Sequence, residues 1–217
     1  QQDLSKWDNS HMGPKWEAAK KQYSQYRLLG DKLAQKEREI GSLQSALYDV
    51  ETRKSFLFKY GYLENDVLTN KGLIASVVHE GHPLLMTELY THKWIENESE
   101  HGIVKILSCF LEEPKTDEVI PVVPIIDQLR KHGQSMEKSE ILKSDWTITD
   151  YWYEVVGDWL EGNNFVCEKY GIEHGNFVRA MLKLANVVRE WVSIATLQQN
   201  TAMIEKLIGI CLLYTSD

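Results

Sequence analysis

Lys59 to Tyr90 reads KYGYLENDVLTNKGLIASVVHEGHPLLMTELY, and its hydrophobic spacing changes twice. The first part, GYLENDVLTNKG, breaks helical periodicity. Glu64-Asn65-Asp66 is a turn sequence with a short β-prone pair around it. Helical spacing returns over Leu73–His79 and again over Pro83–Trp94. Pro83 suits the first turn of the second helix, where a missing N–H costs nothing. One short hairpin set between helical runs points to an all-α fold carrying at most one small β-hairpin.

Upstream, residues from about Pro14 to Tyr60 carry one long heptad pattern. With Leu33 at position a, that row is Ala19, Tyr26, Leu33, Ile40 and Leu47. The d row is Gln22, Leu29, Lys36, Leu43 and Val50, and most intervening residues are charged. So narrow an apolar seam suits one partner helix, not a globular core. Gly30 and Gly41 each weaken the helix by about 1 kcal/mol relative to Ala.

Downstream, Gly102–Leu111 is an apolar helix. EEPKTDEVIPVVP, Glu112 to Pro124, concentrates three of the five prolines and reads as a connector. Ile125–Lys143 is a weaker amphipathic helix. An aromatic-rich segment, Thr149–Gly162, then precedes helices at about Gly175–Leu197 and Thr201–Leu213. The expected architecture is a helical bundle with a long protruding N-terminal helix. Its parts are a disordered or extraneous segment 1–13, a long helix 14–55, and a bundle 56–217 with an internal linker at 112–124.

The formal net charge of −8 over 217 residues argues against wholesale binding to a nucleic-acid backbone, leaving room for a narrow basic stripe. Cys109, Cys167 and Cys211 lie far apart with no CxxC, which implies buried thiols in a reducing, intracellular setting, nucleus or cytoplasm left open. No run approaches the apolar length of a membrane span, so no membrane partner is expected. Beginning at Gln1, the chain reads as a piece of something longer.

Catalytic constellations are missing from the sequence. His79-Glu80-Gly81-His82 looks at first like a metallopeptidase motif. Its histidines are three apart, however, with Gly81 and Pro83 breaking the helix that a zinc pair at i and i+4 requires. There is no GxxxxGK[ST], no GxGxxG after a strand and no GxSxG. No catalytic residue, cofactor or metal is therefore assigned to this chain. The one basic feature lies in GNFVRAMLKLANVVREW. Arg179 and Lys183 are four apart on one helical face, and Arg189, ten beyond Arg179, is expected to point roughly the same way. An ordinary solvated face explains this as well as a strand-contacting one does.

From about residue 56 onward the chain resembles the DSHCT domain, the C-terminal helical domain of exosome-associated DExH-box RNA helicases of the Ski2-like group. Gly61, Tyr62, Leu63, Lys71, Gly72, Ala75, Gly81, Leu84, Leu85, Thr87, Glu88 and Leu89 carry that resemblance without gaps. Further blocks are Ile106 to Lys115, Trp159-Leu160-Glu161-Gly162 with Phe165, Gly175 to Arg179, and the final LLYTSD. Together they span roughly three-quarters of the chain. The sequence departs from the family at Val77, at His82-Pro83, at Lys183 (where Arg is usual), and in a shorter segment between Phe165 and Gly175.

The resemblance implies an accessory domain of an ATP-dependent 3′–5′ RNA helicase. Such a domain guides single-stranded RNA beside the RecA-like core of the same polypeptide, which would hold the ATP and Mg, with exosome or adaptor proteins as further partners. By register, Glu88, Arg179 and Lys183 are the RNA-contacting positions, and Arg189 joins them from its expected direction. Glu88 is expected to face the two cations across a groove. The long helix then reads as one half of an arch stalk, with its partner helix upstream. The competing expectation is a helical protein–protein interaction module with no nucleic-acid role.

Overall fold

The computed structural model describes residues 13–114, 120–137 and 148–213, without the side chains of 14 and 210–213. The segment expected to be disordered or extraneous therefore lies outside the described residues except for Gly13. So do the end of LLYTSD, residues 115–119 of the connector and the 138–143 end of the amphipathic helix. The chain divides into two compact units, residues 1–52 and 53–217.

In the first unit, helix α1 (Gly13–Lys59) runs 47 residues, of which those through Thr52 belong here. At 1.5 Å per residue the whole helix is about 70 Å long. The heptad rows lie open to solvent: Tyr26, Leu33, Ile40 and Leu47 on one, Leu29, Leu43 and Val50 on the other. Gly30 and Gly41 continue the helix unbroken, and a Cβ at either meets nothing within 4 Å. Alanine at each is therefore expected to stabilise α1 by about 1 kcal/mol. Helical circular dichroism followed on heating should show a higher midpoint for Gly30→Ala/Gly41→Ala. A midpoint at or below that of the unaltered chain would refute this.

The second unit begins with the last turn of α1, which carries Phe56 into the core. Gly61, at φ +73°, closes the helix. Its N–H reaches the Phe58 carbonyl at 3.1 Å while Tyr62 N–H reaches Leu57 at 2.8 Å, the paired bonds of a Schellman cap. The expected hairpin follows: β1 (Leu63–Glu64) pairs antiparallel with β2 (Val67–Leu68), Leu63 opposite Leu68 and Glu64 opposite Val67. Asn65 and Asp66 form the turn with φ of 49° and 62°. Two left-handed residues are what a tight hairpin turn demands, and Asn and Asp tolerate that region.

Thr69 caps α2 (Asn70–Ser76) through the Gly72 N–H at 3.1 Å, and His82 caps α3 (Pro83–Thr91) through Leu85 N–H at 3.3 Å. Then come α4 (Glu100–Ser108), α5 (Pro124–Glu137), α6 (Tyr151–Leu160), the single turn α7 (Val166–Lys169), α8 (His174–Leu197) and α9 (Thr201–Leu213). The apolar helix α4 is the centre of the bundle, packed against α6, α8 and α9. Ile103, Leu107, Val155, Val187 and Ile194 are sealed between these helices. The mostly helical fold with one two-stranded hairpin is the one the sequence pattern implies. The additions are α6, read from sequence only as an aromatic-rich segment, and α7, too short at four residues to show a period. No helix among the described residues is long and apolar enough to cross a membrane.

Candidate functional site

Helix α8 positions the basic side chains singled out in the sequence. Its buried stripe is Leu184, Val187, Val188, Trp191, Ile194 and Ala195, which fixes one face inward from Leu184 onward. Ahead of that stripe, Arg179 and Lys183 project one turn apart into an open cleft of about 590 Å³. The opposite wall comes from Leu111–Pro114, Tyr151, Trp152 and Tyr170. Arg179 is exposed and donates only weakly to Asn176 Oδ1 at 3.4 Å. Lys183 Nζ lies 3.2 Å from Glu112 Oε1, whose side chain is almost fully exposed. An ion pair so open to water is worth little, so Lys183 can exchange this partner for another anion.

Arg189 does not join them. At about 100° per residue, ten residues fall about 80° short of three full turns, which places Arg189 on a different face from Arg179. There it hydrogen-bonds Asn186 Oδ1 at 2.7 Å and edges a shallow apolar groove with Trp159, Phe177, Val178, Met181 and Leu182. The expectation of a single three-cation row is therefore corrected to a pair plus one.

Glu88 is not in that cleft either. It lies on the inward face of α3, only 1% exposed. Oε1 accepts from the Tyr62 hydroxyl at 2.6 Å and pairs with Lys71 Nζ at 2.6 Å. Oε2 faces His132 Nε2 at 3.1 Å and His92 Nε2 at 3.3 Å. Burial pushes the carboxyl upward, but the hydrogen bonds from Lys71 and Tyr62 outweigh it and hold Glu88 below the ordinary carboxylate range. Burial, then the Glu88 charge, drives the Tyr62 phenol well up, so it stays a donor. The carboxylate expected to face Arg179 and Lys183 across a groove is thus an interior anion held by α2, α5 and the segment after α1.

This cluster leaves little trace in the sequence. Tyr62, Lys71 and Glu88 stand among the family-matching residues, but nothing in their spacing says that they meet. Glu88 and His92 do fall at i and i+4 on one helix, while His132 comes from 44 residues beyond Glu88. The sequence draws the eye instead to His79 and His82. His82 is the cap of α3, and the backbone N–H groups of His79, Glu80 and Gly81 converge on the Glu190 carboxylate at 2.7, 2.7 and 3.2 Å. That carboxylate ties the loop between α2 and α3 to α8. The free thiols of Cys109 and Cys167 are buried.

The model of the DSHCT (NUC185) domain family matches residues 65–210, from the hairpin turn into α9. The chain belongs to the DSHCT family. It is 23% identical over 177 residues to the ATP-dependent RNA helicase mtr4 of Schizosaccharomyces pombe, covering 74% of this chain and 16% of that protein. To the DExH-box ATP-dependent RNA helicase DExH10 of Arabidopsis thaliana it is 25% identical over 158 residues, 65% of this chain and 16% of that one. To the human exosome RNA helicase MTR4 it is 23% identical over 186 residues, 78% of this chain and 18% of the relative. The DSHCT chain thus spans less than a fifth of each of these relatives.

Proposed function

We propose that this DSHCT domain is the accessory domain of an ATP-dependent 3′–5′ RNA helicase and that the Arg179–Lys183 wall of its cleft guides single-stranded RNA. The supporting observation is that two cations stand a turn apart on an open cleft of about 590 Å³. Phosphates find charge there, and the partly exposed Tyr170 is the ring within reach of a base, Tyr151 and Trp152 being buried in the wall. Lys183 in place of the family's usual Arg keeps the charge but loses the planar fork, which favours phosphate over base contacts. ATP and Mg belong, on this reading, to a RecA-like core of the same polypeptide, with exosome or adaptor proteins as outside partners.

The solvent-open seam of α1 supports a stalk-like role for residues 14–55. A helix with two exposed apolar rows gains most from one antiparallel partner helix.

The test is fluorescence anisotropy with labelled single-stranded RNA over a salt series. Arg179→Ala/Lys183→Ala should weaken binding and make the salt slope shallower by about 0.7 for each phosphate left without its cation. Glu112→Gln, which removes the competing carboxylate, should tighten it. Arg189→Ala serves as the off-cleft comparison. Equal affinity and slope for the double variant and the unaltered chain would eliminate the cleft as the RNA path.

A further inference from the structure

The interior cluster around Glu88 has the chemistry of a different kind of site. Among the described residues, Glu88, His92 and His132 bring one ligand atom each to within 4.8 Å of one another. We propose that these three side chains form a binding site for a divalent metal of the zinc class. This assignment is independent of the RNA cleft.

Three features carry it. The first is spacing. Ligand atoms of a tetrahedral zinc ion, at about 2.0–2.1 Å from the metal, sit about 3.3–3.4 Å from each other. Glu88 Oε2 is 3.3 Å from His92 Nε2 and 3.1 Å from His132 Nε2. Those two edges match an ion to within a few tenths of an ångström, and the third, between the two imidazole nitrogens, lies within 4.8 Å. His92 stands one turn after Glu88 on α3 and its cap, while His132 comes across from α5. Two rigid elements thus define the three ligands.

The second is the support behind the carboxylate. Lys71 and Tyr62 both engage Oε1, which fixes the plane of the group and leaves Oε2 as a single, aimed ligand. Metal-ligating carboxylates and imidazoles are oriented by such outer contacts. The rings are held too. Trp94 stacks on His92 at 5.0 Å between centroids and meets His132 edge-on at 5.6 Å. Both histidines present Nε2 to Oε2 at hydrogen-bond distance, and metal uptake requires the proton there to give way to one on Nδ1, which frees the lone pair for the ion.

The third is access. Glu88 is buried, yet the His92 side chain is 46% exposed, so one ligand of the three stands at the protein surface. Three protein ligands leave a fourth position of a tetrahedral zinc to water, unlike a closed four-ligand structural site. The nearby Lys71 ammonium opposes a second positive charge, so affinity falls short of that of a closed thiolate site. Borderline nitrogen-rich ligation selects zinc, cobalt or nickel over magnesium and calcium.

The full chain, stripped with a chelator and titrated calorimetrically with Zn²⁺, is expected to take up one equivalent, and Mg²⁺ none. Co²⁺ should give the visible absorption of a low-coordinate nitrogen/oxygen site and quench Trp94. His92→Ala and His132→Ala should each weaken Zn²⁺ uptake by about tenfold or more, and His79→Ala should leave it unchanged. The histidine variants spare the buried carboxylate, and circular dichroism is expected to be that of the unaltered chain, the control that the fold persists. Uptake without stoichiometry, or uptake by the two variants equal to that of the unaltered chain, would mean a hydrogen-bonded cluster only and overturn the proposal.

Discussion

Lys71→Met is expected to destabilise the 53–217 unit by about 3–5 kcal/mol, the loss typical of a buried charge deprived of its partner. The size follows from asymmetry. Glu88 is buried in the interior, and Lys71 Nζ at 2.6 Å is the one permanently charged group paired with it among the described residues. The ammonium also donates to the Tyr60 carbonyl at 3.1 Å and lies 4.6 Å from the centre of the Tyr62 ring. Methionine keeps the volume and loses all three interactions. Left behind is a carboxylate that water reaches poorly, with no permanently charged partner among the described residues. Urea unfolding followed by tryptophan fluorescence measures the loss. Lys71→Met/Glu88→Leu should recover half of it or more, because replacing both members of a buried pair by apolar groups is often nearly neutral. A loss below about 1 kcal/mol for the single variant would show that Lys71 is not what keeps Glu88 charged.

The fold is legible in the sequence where local chemistry decides it. The Asn65-Asp66 turn, the proline that opens α3 and the apolar run of α4 each act over a few residues, so pattern alone places them. The cleft is half legible. Arg179 and Lys183 are neighbours by helical arithmetic, and that holds in three dimensions. Arg189 falls elsewhere because a residual angle of about 80° is easily rounded away when counted as nearly three turns. The surroundings of Glu88 are not legible at all. Its position on α3 follows from sequence, but its burial depends on α2 and α5 packing over that face, and packing across 17 or 44 residues leaves no periodic trace. A family position recognised by register thus brings with it a role that the local environment here does not support, since a side chain this deeply enclosed offers a passing strand no surface. The same long-range packing assembles the three candidate metal ligands, which is why local motifs point to His79 and His82 instead.

Gly72→Ala is the second substitution expected to have a large effect, through backbone and not charge. A Cβ at position 72 would press deep into the Tyr62 carbonyl oxygen and come to 2.9 Å from Leu68 Cδ2. The leucine tip can swing aside. The carbonyl cannot, because it accepts the Thr69 N–H at 3.1 Å and so anchors the base of the hairpin. Moving it shifts the start of β1 and, with it, the Tyr62 ring whose hydroxyl reaches Glu88. Overpacking of this kind costs about 1–3 kcal/mol where side chains can yield, and more where a backbone group must move. We expect about 3 kcal/mol or more, the upper end of that range, read as a lower urea midpoint with little change in the slope of the transition. Because the clash and the Lys71 ion pair both act through Tyr62 and Glu88, their losses should not add. Gly72→Ala/Lys71→Met should fall short of the sum of the single variants by about 0.5 kcal/mol or more. Strict additivity would mean that the carbonyl yields without disturbing the Tyr62 hydroxyl, and that the glycine serves the hairpin alone.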